Sequence, residues 1–192
     1  GAREAQGLCE RTEFRVDTRH DPAGVQLGGA LKIVMADSVG ISDGLGYGDN
    51  ARAALITRGL LELIRVGVIL GASPETFFGL SGLGDLIVTC TSRHSRNRRL
   101  GELLSQGTPP GEAEKAVGMV VEGVHTARAL DSHQPVQANE MPIISEVIRI
   151  LFHGSEPGEA VRRLLSRQRK AEWDGMKEHL ERMSSSLHGR IQ

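Results

Sequence analysis

Aromatic side chains are only 3% of the 192 residues, so the core must be built from aliphatic side chains. There are two cysteines, Cys9 and Cys90, with no metal-ligand spacing. They exclude a disulfide framework and a zinc knuckle, and they fit a reducing compartment. No apolar run reaches the roughly 18 residues of a membrane span. The start of the chain carries Arg3, Glu4 and Glu10 and no apolar signal region. The expected location is therefore cytoplasmic. The net charge of −1 leaves no electrostatic footprint for nucleic acid or an anionic membrane. Neither a G-x-G-x-x-G fingerprint nor a P-loop occurs, so a nucleotide-binding α/β domain is not expected within these residues.

What is present suits one globular domain, or one domain plus a fragment: 39% hydrophobic and 24% charged residues. The opening GAREAQGLCERTEF has no Met and reads as the end of something longer. Phe14–Thr18 alternates apolar and polar, which predicts a strand, but no partner strand is in view. From Asp21-Pro22 onward the pattern is helical. A cap and first-turn proline open a helix to about Gly40. A glycine-rich hinge, Gly40–Asn50, follows, and Asp49 or Asn50 is expected to cap a long helix to about Leu70. Ser73-Pro74-Glu75 starts a short helix. Further helices are expected over 112–117, 119–130, 141–152 and 155–167. Trp173, Met176, Leu180 and Met183 recur at helical steps in a charged tail, and Ser184–Gln192 is expected to be disordered. About eight helices after Thr18 make an all-α bundle.

The stretch that carries chemistry is Gly82–Arg99, GLGDLIVTCTSRHSRNRR. It places a carboxylate, Asp85, on a glycine-bounded turn. One short segment later, Arg93, Arg96, Arg98 and Arg99 gather with Ser95 and Asn97 at the entry to a helix, roughly Ser95–Ser105. A helix N-terminus offers unpaired N–H groups, and arginine adds a planar fork for phosphate oxygens. The same residues also suit a solvated surface face. Two readings also stand for Lys32, which lies among Ala30, Leu31, Ile33 and Val34. It snorkels out of an apolar helix, or it stands in a dry site fit to trade protons. Gly28-Gly29 lies inside the same helix and calls for a close approach by another helix or a ligand.

The blocks VQLGGALK, ISDGLGYGDNARAALITRGL, GLSGLGDLIVTCTSRHSRNRR, VVEGVHTA and MPI occur in that order. With them the chain, from about Phe14 to Arg167, closely resembles the C-terminal substrate domain of bacterial-type NAD(P)-dependent glycerol-3-phosphate dehydrogenase. The resemblance implies an all-α domain of the 6-phosphogluconate dehydrogenase C-terminal type. It also implies an N-terminal Rossmann domain whose last strand is Phe14–Thr18. The family interconverts sn-glycerol 3-phosphate and dihydroxyacetone phosphate with NAD or NADP, supplying the backbone of phospholipids. By the same resemblance Lys32 is the proton acceptor for the substrate hydroxyl. Asp85 is a substrate-binding carboxylate. Ser95, Arg96 and Asn97 contact the substrate phosphate. Arg96, Val120 and Glu122 face the cofactor. No metal is implied.

Two positions depart from the family pattern. Ile33 stands where Asn is usual, and Asp37 puts a charge where a small apolar residue is usual, in a helix expected to be buried. The resulting division is residues 1–20 as the end of a Rossmann domain, 21–168 as the substrate domain and 169–192 as a charged tail. Two functional readings follow. One is the substrate half of the dehydrogenase, working with a Rossmann domain from a longer parent or a separate chain. The other is a non-catalytic phosphate-ester-binding or self-associating paralogue, a homodimer included.

Overall fold

A computed structural model of the chain describes residues 1–10 and 16–167. Their order is α1 (Ala2–Cys9), α2 (Pro22–Gly44), α3 (Gly48–Ile69), α4 (Pro74–Phe77), a π-helical turn (Leu80–Gly84), α5 (Asp85–Thr91), α6 (Arg96–Ser105), α7 (Pro110–Val117), α8 (Glu122–His133), α9 (Pro142–Phe152) and α10 (Pro157–Ser166). The all-α class expected from the pattern is what these residues form.

Helix α2 is the axle. Its residues from Ile33 to Ser42 are buried without a break, the mark of a helix apolar all round and enclosed by others. Helices α3, α5, α6, α8 and α9 all pack against it. Its start is fixed by Asp21. That carboxylate accepts from Gly24 N (2.9 Å), Ser73 N (2.9 Å) and Thr76 Oγ1 (2.7 Å), so one side chain ties the first turn of α2 to the segment that opens α4. These bonds, the one from Gly24 foremost, hold the Asp21 carboxyl below its ordinary range. The core is aliphatic as composition required: Leu31, Val34, Met35, Leu63 and Ile64 are almost wholly covered, and among the described residues Phe77 is the one fully buried ring.

The tightest approach is between α2 and α6. A Cβ on Gly40 would stand 2.0 Å from the Arg98 carbonyl oxygen, and one on Gly101 would stand 2.1 Å from the Asp37 carbonyl oxygen. Two backbones thus touch where neither helix has a side chain.

Several expectations need correction. Val16–Thr18 form no strand: with no sheet to join among the described residues, a strand has nothing to satisfy its backbone, and the Val16 carbonyl accepts from Gln6 Nε2 instead (2.6 Å). Phe14 and Arg15 lie outside the described residues, as does the tail helix expected around Trp173–Met183. The glycine-rich segment is not a hinge from Gly40. Helix α2 runs on to Gly44 because Ile41 and Ser42 are buried and Asp43 takes two arginines, Arg52 and Arg98. The N-cap of α3 is Tyr47; Asp49 lies in the first turn and pairs with Arg52 at 2.7 Å.

Candidate functional site

Gly28 and Lys32 are four residues apart on α2 and so share a face. The π-helical turn crosses that face. A Cβ on Gly28 would stand 3.0 Å from the Ser81 carbonyl oxygen, while Gly29 has nothing within 4 Å. Of the glycine pair, Gly28 is therefore the one that admits a neighbour. The turn is held from behind by Gly82, where a Cβ would collide with the Phe77 backbone at 2.2 Å. Seated this way, the turn delivers Asp85 as the first residue of α5, where the helix dipole favours an acid.

The result is an ion pair between Lys32 Nζ and Asp85 Oδ2. Their side chains are 18% and 36% exposed, so the pair is half-buried and still reached by solvent. Lys32 stands between the two readings offered by the sequence alone. It is largely covered rather than snorkelling, and its ammonium has a carboxylate partner rather than dry surroundings. Thr89 Oγ1 donates to the Asp85 carbonyl at 2.6 Å and steadies the turn.

The basic run is not one patch. Arg98 binds Asp43 (2.8 Å) and Glu102 (3.1 Å), and Arg99 also pairs with Glu102 (3.1 Å). These two arginines belong to the scaffold. Arg96 is different: its Nη1 donates to the Val120 carbonyl at 2.8 Å, which leaves most of its fork unused by that bond. Ser95 is the N-cap of α6, and its hydroxyl accepts from Arg98 N at 3.3 Å. The N–H groups of Arg96 and Asn97, in the first turn, have no acceptor within the helix.

Asn97 is buried, and its Oδ1 accepts from Gly123 N at 3.0 Å. That bond decides the orientation of the amide: reversed, two donors would face each other. Nδ2 is thereby turned away from Gly123. Glu122, one residue before, is exposed in the first turn of α8. Val120 is 62% exposed.

The structure thus joins Lys32 with Asp85, Arg96 with Val120, and Asn97 with the start of α8. It shows no bond between the first of these groups and the other two. Asp37 is the link: it is five residues beyond Lys32 on α2, about 7.5 Å along the axis. A Cβ on Gly123 would stand 2.5 Å from both Asp37 Oδ2 and Asn97 Oδ1. Sequence reasoning did not find Gly123 as the partner of Asn97, nor Asp43 as the clamp on Arg98. A backbone N–H leaves no signature in sequence, and Asp43 looked like loop composition.

A family model for the NAD-dependent glycerol-3-phosphate dehydrogenase C-terminus matches residues 21–162. The chain belongs to that family. A glycerol-3-phosphate dehydrogenase [NAD(P)+] of Halalkalibacterium halodurans is 50% identical over 174 residues, 91% of this chain and 50% of that protein. The enzyme of the same name from Oceanobacillus iheyensis is 51% identical over 175 residues, 91% of this chain and 51% of its own length. The crystal structure of glycerol-3-phosphate dehydrogenase from Coxiella burnetii superposes with a TM-score of 0.78 at 42% identity, covering 87% of this chain and 52% of that one. The chain therefore spans about half the length of the glycerol-3-phosphate dehydrogenases it matches. The resemblance carried by GGALK, GLGDL and SRNRR is the family the comparisons return.

Proposed function

We propose that residues 21–168 are the substrate-binding half of a dehydrogenase that interconverts sn-glycerol 3-phosphate and dihydroxyacetone phosphate. Residues 1–20 would be the end of its nucleotide-binding domain, and the reaction would be cytoplasmic. The observation that carries this is the half-buried Lys32–Asp85 pair, whose lysine lies on the same axle helix as Asp37, the residue that shares with Asn97 the space over Gly123.

The roles follow from the chemistry. In ketone reduction, hydride adds to the carbonyl carbon and the oxygen gains a proton; the Lys32 ammonium gives it. In alcohol oxidation the hydroxyl proton goes to Lys32 Nζ as the hydride leaves. Asp85 holds that nitrogen in place. Arg96, the first-turn N–H groups of α6 and Asn97 Nδ2 seat the phosphate and so fix the carbinol carbon relative to Lys32. Ser95 shapes that seat as the cap.

A bound NAD or NADP supplies or takes the hydride. Arg96, Val120 and Glu122 fit only as one wall of its site, because the described residues carry no glycine-rich phosphate loop. Leu80, Ile87, Val88, Met119 and Val120 are exposed apolar side chains on the segments that carry Asp85 and adjoin Arg96. They favour a second domain, from the same polypeptide or another chain, as the occupant of this face.

The test joins this chain to the nucleotide-binding half of the Halalkalibacterium relative. Dihydroxyacetone-phosphate-dependent oxidation of NADH and NADPH is then followed beside Lys32→Ala. The native fusion is expected to turn over, and the variant to lose about 10²–10⁴ in kcat. A folded fusion without activity, or one indifferent to Lys32, overturns the assignment.

A further inference from the structure

Asp37 lies at the meeting of α2, α6 and α8. It is 0% exposed, and neither carboxyl oxygen has a hydrogen-bond partner among the described residues. Its own peptide is pinned, since the Asp37 carbonyl abuts Gly101 of α6 where a Cβ would stand 2.1 Å away. The side chain therefore has no route to water without parting two helices. Its Oδ2 and Asn97 Oδ1 crowd the same point over Gly123.

An ionised carboxylate there would face a carbonyl oxygen in a dry site, which is unfavourable twice over. Among the described residues no neighbouring element offers a rescuing cation. From α5 the facing group is the Cys90 thiol, pushed up to about 12, chiefly by burial, and so neutral. From α6 the cation is Arg98, bound to Asp43 and Glu102. On α8, Glu122 is exposed. On α9, Glu146 is held by Arg149 and Arg163, and on α3, Glu62 is turned to the N-terminus of α9. A proton on Asp37, by contrast, has Asn97 Oδ1 as an acceptor whose second lone pair is free beside the bond from Gly123.

We propose that Asp37 is a positioning residue of the phosphate seat: as a neutral acid it donates to Asn97 Oδ1 and, with Gly123 N–H, turns the Asn97 amide donors toward the ligand. The proposal rests on the placement of Asn97 in the seat given above. Burial alone raises the Asp37 carboxyl well above its ordinary value, in agreement. Asp37 does not touch substrate; it acts through Asn97.

The test uses the full chain with aspartate labelled with 13C at the side-chain carboxyl, the Asp37 signal being identified by its loss in Asp37→Asn. At pH 7 that signal is expected at the protonated-carboxyl position. Calorimetry with sn-glycerol 3-phosphate is expected to show about tenfold weaker binding in Asp37→Leu, the loss of one hydrogen bond. Asp37→Asn restores a donor and is expected to bind as the native chain does. An ionised Asp37 at pH 7, or undiminished binding by Asp37→Leu, overturns the proposal. Should the native chain not bind sn-glycerol 3-phosphate, the assignment of the seat fails separately. Hydrogen exchange of the Asn97 amide then decides this point: slow in the native chain and Asp37→Asn and fast in Asp37→Leu supports it, while equal rates in all three refute it.

Discussion

Two helices of this bundle start in contrasting ways. The N-terminus of α9 is closed from inside: Glu62 of α3, buried at 2% exposure, accepts from Ile143 N at 2.8 and 3.0 Å and from Ile144 N at 3.2 Å. The N-terminus of α6 has only the Ser95 cap, and around it stand Arg96 and the Asn97 amide. Both starts attract an anion through the same unpaired N–H groups. At α9 the acceptor for those N–H groups, the Glu62 carboxyl, is part of the fold. At α6 the chain brings cationic and amide donors and leaves the anion to be supplied. A carboxyl group built into a helix start makes a joint, and a helix start without one makes a seat.

The largest effect should come from opening the closed start. Glu62→Ala leaves two buried N–H groups unpaired and a hole between α3 and α9, and should cost about 3 kcal/mol in urea unfolding. Burial pushes the Glu62 carboxyl up to about 8 despite the bonds from Ile143 and Ile144. The sign follows from the folded state holding a proton that the unfolded state releases. This contribution to stability is complete below pH 4.5, falls as pH rises toward 8, and is flat above it. Asp37, also raised, adds a loss of the same sign. Asp21, whose carboxyl is lowered, works the other way and loses its contribution as the solution is acidified below its unfolded value. Melting temperatures measured between pH 4.5 and 8 should therefore decline in the native chain and decline less in Glu62→Gln. An unchanged slope in Glu62→Gln would mean that Glu62 is ionised in its joint.

The next effect sharpens the contrast from the other side. Arg96→Ala removes the fork beside the open start and should weaken sn-glycerol 3-phosphate binding by about 2 kcal/mol, the value of a charge-assisted hydrogen bond. It should leave the melting temperature almost unchanged, because the bond it loses to Val120 O is exposed. Arg98→Ala should do the reverse, destabilising the fold through the Asp43 clamp. Equal loss of binding in both would restore the single basic patch that the sequence implied.

That last contrast shows where the sequence was legible. Helix starts announced themselves: Asp21-Pro22, Ser73-Pro74 and Ser95 lie where caps and first-turn prolines predict, because those signals are local. The pairing of Lys32 with Asp85 was legible only through family motifs, since 53 residues separate them and no periodicity links them. The sorting of Arg96 from Arg98 was legible through those motifs alone and not from the residues themselves. Four arginines in seven residues look alike until Asp43, held in place by an α2 longer than its glycines promised, selects one of them. The strand expected over 14–18 shows the converse: alternation is a local signal, yet a strand exists only within a sheet, and Val16–Thr18 form no strand. Gly28-Gly29 promised a close neighbour, and geometry assigned it to Gly28 alone.

The smallest effect tests whether the seat at α6 depends on its cap. Ser95→Ala removes the acceptor for Arg98 N and should cost about 1 kcal/mol of stability. An alanine cap leaves one more N–H of the first turn open, which on charge alone would strengthen anion binding. It also frees the turn to fray, which would scatter the Arg96 and Asn97 donors. Asn97 is anchored separately, through Gly123 N, so its position does not depend on Ser95. Binding of sn-glycerol 3-phosphate should therefore fall by no more than about threefold in Ser95→Ala, a few tenths of a kcal/mol. A loss as large as that of Arg96→Ala would show that the Ser95 hydroxyl itself donates to the phosphate, and that the open start uses its cap as a ligand group.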